Sequence, residues 1–130
     1  MSYVGIVLIS HSVKVVEGIH ELVRQVEKNV PIEIAGGTDD LEIGTSVEKI
    51  QNAIEKAYSD KGVVILFDLG SAIMNAELAL EITGYENVKI ADAPLLEGSY
   101  VAAVEAGMGK TLEEVVKTAE ETRTSNKIHS

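Results

Sequence analysis

Residues 3–12 read YVGIVLISHS, a continuous apolar run that stops at a histidine between two serines. A run rich in Val and Ile that ends directly in polar residues is typical of a strand buried on both faces of a parallel sheet. We therefore predict a first strand over Tyr3–Ile9. Because the polar residues follow at once, His11 should lie at the carboxyl end of that strand.

The rest of the chain repeats this alternation of strand and helix. Three further apolar runs predict strands, and each strand is followed by at least one stretch with helical apolar spacing. The alternation predicts an α/β fold with a single doubly wound open sheet, mainly parallel, and helices on both faces. With four strands the usual order is 2-1-3-4. The predicted strands are Tyr3–Ile9, Ile32–Ala35, Val63–Phe67 and Val88–Ala91, and the predicted helices are Val13–Lys28, one after Thr45, one after Ser71, Ser99–Ala106 and Leu112 to about Thr122.

Capping residues predict where several helices begin and end. Thr45 with Glu48, and Thr111 with Glu114, have the spacing of capping boxes. Ser71 is a candidate N-cap. The helix that it opens is expected to end just before the glycine at position 84.

Bulk composition excludes several classes of protein. A chain of 130 residues with 45% hydrophobic residues predicts one domain over residues 1–130. It has no apolar run long enough for a membrane span and no signal-peptide pattern, so a cytoplasmic protein is expected. The lack of cysteines removes disulfide frameworks and thiolate metal sites. A net charge of -10 without a basic patch makes nucleic acid an unsuitable partner.

A sheet of this order has one crevice, between the carboxyl ends of strands 1 and 3. His11 follows strand 1 and Asp68 follows strand 3, so we expect the two side chains to face each other there. A nucleophilic histidine needs a carboxylate on one ring nitrogen, which leaves the other nitrogen free to attack. His20 and His129 lack metal-ligand spacing, so neither a metal nor a cofactor is expected.

The loops around this crevice predict a phosphate-binding site. Backbone N–H groups and hydroxyls can bind an anion, particularly where a helix begins. The same residue types also cap helices and form turns, so on the residues alone a purely structural role stays open. The candidate phosphate-binding residues are Ser10, Ser12, Gly37, Thr38, Gly70 and Ser71.

Two competing motifs fail on inspection. Residues 107–111 read GMGKT, the tail of a nucleotide-binding P-loop, but Val104 stands where that motif needs its first glycine. Asp68 is placed like the phospho-accepting aspartate of receiver domains. Those domains have paired acidic residues after strand 1, however, where this chain has Ser10 and His11.

Four separated segments carry a family resemblance. They read VLISHSVKVVEGIHEL, AGGTDDLEIGTS, ILFDLGSAIMNAELALE and DAPLLEGSYVAAVEA, in that order. Together they resemble the phosphoryl-donor subunits (DhaM) of bacterial dihydroxyacetone kinases driven by the phosphoenolpyruvate phosphotransferase system. Those subunits are similar to the mannose-type EIIA domains of sugar transporters. The match extends over roughly residues 4–106.

The resemblance implies a phosphotransferase component that works through phosphohistidine. His11 would accept a phosphoryl group from the small carrier protein HPr, with Asp68 as its partner carboxylate. The phosphate-holding loops would be Gly37-Thr38 and Gly70-Ser71. The phosphoryl group would pass to ADP in the nucleotide-binding kinase subunit and so drive phosphorylation of dihydroxyacetone. A homodimer and no membrane partner are also implied.

Two alternative functions would use the same site around His11. Sugar-transport EIIA domains usually read Gly-His-Gly at the histidine, whereas this chain has Ser10-His11-Ser12, as in the kinase branch. A non-catalytic regulatory module that reports phosphotransferase status would use the same site, so the sequence leaves that alternative open.

Overall fold

Nine elements of secondary structure follow one another along residues 2–128, which are the residues described by the computed structural model. His129 lies outside the described residues. The strands are β1 (Gly5–Ser10), β2 (Ile32–Gly36), β3 (Val63–Phe67) and β4 (Val88–Ile90), and the helices are α1 (Val13–Arg24), α2 (Val47–Ala57), α3 (Ala72–Thr83), α4 (Leu95–Gly107) and α5 (Leu112–Glu121).

The four strands form one sheet in the order β2-β1-β3-β4, and all neighbouring pairs are parallel. The predicted α/β class and strand order are therefore confirmed. β1 lies in the middle, where Ser10 pairs with Gly36 of β2 and Ile9 pairs with Phe67 of β3. The last residues of β1 and β3 thus reach the same edge of the sheet side by side.

Both faces of the sheet are covered by helices, which explains why β1 is apolar at every position but its last. Ile6 and Leu8 pack under α1, α4 and α5, whereas Val7 and Ile9 pack under α2 and α3. All four side chains are fully buried. Alternate residues of a strand point to opposite faces, so a strand with two covered faces has no polar alternation.

Two of the predicted helix ends are confirmed. Thr111 and Glu114 form a complete capping box at the start of α5. Gly84 follows α3 with a left-handed backbone, at φ 70°, which glycine adopts without strain.

One predicted cap is wrong, and a second is confirmed in position but makes no capping bond. α2 is capped one residue later than expected, by Ser46, whose hydroxyl accepts the Lys49 N–H at 3.2 Å. Thr45 instead accepts a hydrogen bond from the Asn75 amide at 2.6 Å. Ser71 occupies the N-cap position of α3, but its side chain makes no capping bond. Its backbone is already helical, whereas a capping residue is normally extended.

Helix lengths also differ from the predicted ones. α1 ends at Arg24, four residues before the expected end, and the Arg24 guanidinium donates to the Val30 carbonyl at 2.6 Å. α4 begins at Leu95 rather than at Ser99, directly after Pro94. None of the helices within residues 2–128 has the length and apolar character that a membrane crossing requires.

Gly5 provides a test of how closely β1 packs against α2. A Cβ atom at this position would lie 2.1 Å from the Ala57 carbonyl oxygen, so the backbone itself would have to move. We expect Gly5→Ala to lower the free energy of unfolding by about 1–3 kcal/mol. The matched control is Gly18→Ala in α1, where a Cβ meets nothing within 4 Å. Higher helix propensity should raise stability there by about 0.5–1 kcal/mol. Urea unfolding measures both, and equal stabilities for the two variants would contradict this packing.

Candidate active site

The pairing of β1 with β3 brings His11 and Asp68 together, as the sequence predicts. Each residue directly follows its strand. The Asp68 N–H donates to the Ile9 carbonyl at 3.1 Å, which extends the hydrogen bonding between β1 and β3 by one bond. The His11 N–H then donates to Asp68 Oδ2 at 2.9 Å. These backbone hydrogen bonds hold the two residues next to each other independently of the contact between the imidazole and the carboxylate.

The Asp68 carboxylate accepts four hydrogen bonds. Oδ1 accepts from His11 Nδ1 at 3.0 Å and from the Leu69 N–H at 2.7 Å. Oδ2 accepts from the Ser10 hydroxyl at 2.8 Å and from the His11 N–H at 2.9 Å. Burial raises the pKa of Asp68, but these donors together outweigh it and hold the pKa below its ordinary value of 3.8. The carboxylate is therefore ionised at neutral pH.

An ionised Asp68 decides which nitrogen of His11 carries the proton. A carboxylate only accepts hydrogen bonds, so Nδ1 has to be the donor. In the neutral imidazole Nε2 then holds a lone pair, and it lies 2.8 Å from the Ser71 hydroxyl, which donates to it. Two hydrogen bonds thus fix the ring. Because the His11 side chain keeps about 20% of its surface exposed, Nε2 can be reached from solvent once the Ser71 hydroxyl turns away.

Ser10 and Ser12 both serve the local structure. Ser10 is completely buried, and its hydroxyl donates to Asp68 while it accepts the Ser12 N–H at 3.0 Å. The Ser12 hydroxyl caps α1 by accepting the Val15 N–H at 3.4 Å. Both hydroxyls are therefore engaged in positioning. The phosphate-binding role expected of these two serines stays a prediction.

The loop after β2 uses its amides in hydrogen bonds to β1 and within the loop itself. The Gly37 N–H donates to the Ser10 carbonyl at 3.1 Å, and the Thr38 N–H donates to the Glu42 carbonyl at 2.9 Å. The Thr38 hydroxyl accepts the Glu42 N–H at 3.1 Å. Gly37 has φ 71°, a conformation that favours glycine. Both amides predicted to bind phosphate are thus occupied, and their role also stays a prediction.

The start of α3 offers free hydrogen-bond donors. Within residues 2–128, the N–H groups of Gly70 and Ser71 have no acceptor. They open a twelve-residue helix, whose amino end has a partial positive charge. Ser71 also places its hydroxyl on Nε2 of His11. Of the predicted phosphate-binding residues, these two are the ones with groups available to an anion next to the histidine.

Sequence reasoning missed the contacts that hold the loop after β2 against the site. The Gly44 N–H donates to the His11 carbonyl at 2.9 Å. The Asn75 amide on α3 donates to the Thr45 hydroxyl, although the two residues are 30 positions apart. Both contacts join residues that are distant in the sequence, so no local pattern predicts them.

Known proteins resemble this chain over most of its length. The model of the EIIA-man family, described as PTS system fructose IIA component, matches residues 5–116. The chain is 41% identical to the PTS-dependent dihydroxyacetone kinase phosphotransferase subunit DhaM of Lactococcus lactis, over 92% of this chain and 95% of the relative. It is 43% identical to the phosphoryl donor subunit DhaM of PEP-dependent dihydroxyacetone kinase 1 from Listeria innocua, over 80% of this chain and 82% of the relative. A crystal structure of a protein of unknown function superimposes with a TM-score of 0.81 at 33% identity, over 93% and 95% of the two chains.

The lowered pKa of Asp68 predicts a pH-dependent part of the stability. A carboxyl group whose pKa is lower in the folded state stabilises the fold above its unfolded pKa, and this contribution is lost as the pH falls through the folded pKa. We expect Asp68→Asn to be less stable than the wild type near pH 6, with a difference that shrinks below about pH 4.

Urea unfolding at stepped pH between about 6 and 3 measures this difference. Asp60→Asn, at an exposed position outside the site, controls for the loss of one negative charge. A difference between wild type and Asp68→Asn that stays constant over the whole pH range would show that the four hydrogen bonds do not favour the ionised form.

Proposed function

The chain belongs to the EIIA-man family, and from this membership and the geometry at His11 we propose that it is a phosphohistidine carrier. It would act as the phosphoryl-donor subunit of a dihydroxyacetone kinase, like its DhaM relatives. The donor would be phospho-HPr, and the acceptor would be ADP bound in the kinase subunit. We also propose that the chain works as a homodimer. The observation that supports this function best is the imidazole whose Nδ1–H is held by Asp68 while Nε2 keeps its lone pair.

Phosphoryl acceptance needs no separate base in this site. Nε2 of His11 attacks the phosphorus of the donor's phosphohistidine, the new P–N bond forms, and the old P–N bond breaks with its electron pair left on the donor's ring. The His11 ring gains positive charge because it keeps the Nδ1 proton. Asp68, 3.0 Å from Nδ1, offsets that charge.

The start of α3 would bind the transferred group. The N–H groups of Gly70 and Ser71 are the free donors there, and the Ser71 hydroxyl can turn from Nε2 to a phosphoryl oxygen. Within residues 2–128, no lysine or arginine side chain is hydrogen-bonded to His11 or Asp68. A site built from neutral donors and one helix end holds an anion less tightly than a cationic site, which suits a group that has to be passed on.

Delivery reverses the first step. A β-phosphate oxygen of ADP attacks the phosphorus, the P–Nε2 bond breaks, and the electron pair returns to Nε2. The ring is neutral again with its proton still on Nδ1, because the Asp68 carboxylate favours that tautomer throughout. The charge that Asp68 stabilises in phosphohistidine therefore exists only while the phosphoryl group is attached.

Three single substitutions test which histidine is phosphorylated. We expect His11→Ala to take up no phosphate from phosphoenolpyruvate and HPr, while His20→Ala and His129→Ala gain one phosphate as the wild type does. His20 lies on α1, away from the strand end. Intact mass at alkaline pH is the measurement, since a phosphorus–nitrogen bond is labile in acid. Labelling of His11→Ala, or a label that survives acid, would disprove the proposed carrier.

Asp68→Asn tests the partner carboxylate. The amide has a similar shape but carries no charge, so it cannot offset the charge of the phosphorylated ring. By analogy with catalytic triads, we expect the transfer rate to fall by up to about 10⁴. The assay follows ATP formation from phosphoenolpyruvate, the upstream enzyme, HPr and the ADP-loaded kinase subunit. A transfer rate within a few-fold of the wild type would show that Asp68 has no part in phosphoryl transfer.

The same assay separates the carrier from a regulatory module. A carrier gives ATP in amounts that exceed the amount of the chain, because each molecule turns over. A regulatory module would be phosphorylated by HPr and would yield no ATP with the kinase subunit.

A further inference from the structure

A side-chain hydrogen bond joins the loop after β2 to α3 beside His11. The Asn75 amide donates to the Thr45 hydroxyl at 2.6 Å. Both residues are half-buried, so the bond is partly shielded from water. Within residues 2–128, it is the one side-chain hydrogen bond between residues 37–46 and α3. We call it the loop bridge, because it fixes the loop and the helix relative to each other.

Each partner of the loop bridge lies near a residue that contacts His11. Gly44, which precedes Thr45, donates its N–H to the His11 carbonyl at 2.9 Å. Ser71, four residues before Asn75, has helical backbone angles and places its hydroxyl 2.8 Å from Nε2 of His11. Residues four apart in a helix lie one turn apart on the same face. The contacts therefore form a closed ring that begins at the His11 carbonyl and ends at Nε2 of the same residue.

This ring has to change when the histidine is phosphorylated. In the proposed mechanism the Ser71 hydroxyl turns from Nε2 to a phosphoryl oxygen, which opens the ring at that contact. The loop bridge is made elsewhere in the ring, so it still fixes α3 against the loop. The N–H groups of Gly70 and Ser71 have to stay within hydrogen-bond distance of the phosphoryl oxygens, and small displacements weaken such bonds.

We propose that Thr45 and Asn75 are positioning residues for phosphoryl transfer at His11. The loop bridge holds the start of α3 where its N–H groups meet the phosphoryl oxygens, and it takes no part in the bond changes. The inference rests on the proposed function, because it needs a phosphoryl group on Nε2. A purely structural bond would stabilise the loop but would leave the transfer rate of the folded protein unchanged.

Thr45→Val and Asn75→Leu test the loop bridge, because each removes the hydrogen bond and keeps a side chain of similar size. With phospho-HPr as donor, we expect kcat to fall roughly ten- to a hundredfold, since a displacement of about 1 Å in a reactive site has such an effect. KM should change little, because the two side chains are bonded to each other rather than to the donor. The double variant should lose no more than the larger single loss, since both substitutions break one bond.

Two further variants serve as controls. Thr45→Ser retains the hydroxyl and should restore transfer to near the wild-type rate. Thr118→Val also removes a half-buried threonine hydroxyl, which donates to the Glu114 carbonyl at 2.9 Å within α5 and lies outside the site. It should transfer like the wild type. Urea unfolding of every variant checks that all of them are folded under the assay conditions.

A small phosphoryl donor separates positioning from recognition of a protein donor. Phosphoramidate should label His11 of the wild type, with intact mass at alkaline pH as the measurement. In Thr45→Val and Asn75→Leu, this labelling should slow by about the same factor as kcat with phospho-HPr, because the defect lies in the acceptor site itself.

Three results would overturn the positioning role. The first is a wild-type kcat in both Thr45→Val and Asn75→Leu. The second is a loss with phospho-HPr but none with phosphoramidate, which would place the two residues in contact with the donor protein. The third is an equal loss in Thr45→Ser or Thr118→Val, which would show that the bridging hydroxyl is not the cause. A wild type that neither donor labels would instead contradict the proposed function at His11.

Discussion

The single carboxylate of Asp68 accepts hydrogen bonds from two backbone N–H groups, one hydroxyl and one imidazole. Partial burial of this charge costs free energy unless its oxygens are hydrogen-bonded, and here each oxygen has two donors. The donors come from the ends of both β1 and β3. The interaction that orients the histidine therefore also joins the two central strands at their carboxyl ends, and the site cannot change without affecting the sheet.

The proposed site would bind an anion at a helix start, and the parallel arrangement of the strands explains why helices begin there. Both α1 and α3 begin at this edge of the sheet, just after His11 and Asp68. The amino ends of helices have partial positive charges and leave N–H groups unpaired. Ser12 satisfies one of those N–H groups in α1, whereas Ser71 leaves its own helix uncapped and turns to the imidazole. The start of α1 is thus capped by Ser12, whereas the start of α3 keeps uncapped N–H groups near Nε2 of His11.

The loop after β2 contributes rigidity more than direct chemistry. Its amides at Gly37 and Thr38 are used within the fold, and its later part is attached to His11 through Gly44 and to α3 through Thr45. A loop that is held at both ends can present exposed side chains at defined positions. Leu41 and Ile43 are two such exposed side chains in this loop.

The sequence by itself determined the fold class, the strand order and the proximity of His11 and Asp68. Apolar periodicity is a local signal, and the rules for parallel sheets convert an order of elements into neighbouring strand ends. Only the tertiary structure decided the roles of the hydroxyls. Ser10 is buried against Asp68, Ser12 caps α1 and Ser71 contacts His11, yet all three are equally plausible caps in the sequence. The reason is physical, since the bonds that distinguish them join residues 58 or 60 positions apart and depend on where two strands end in space.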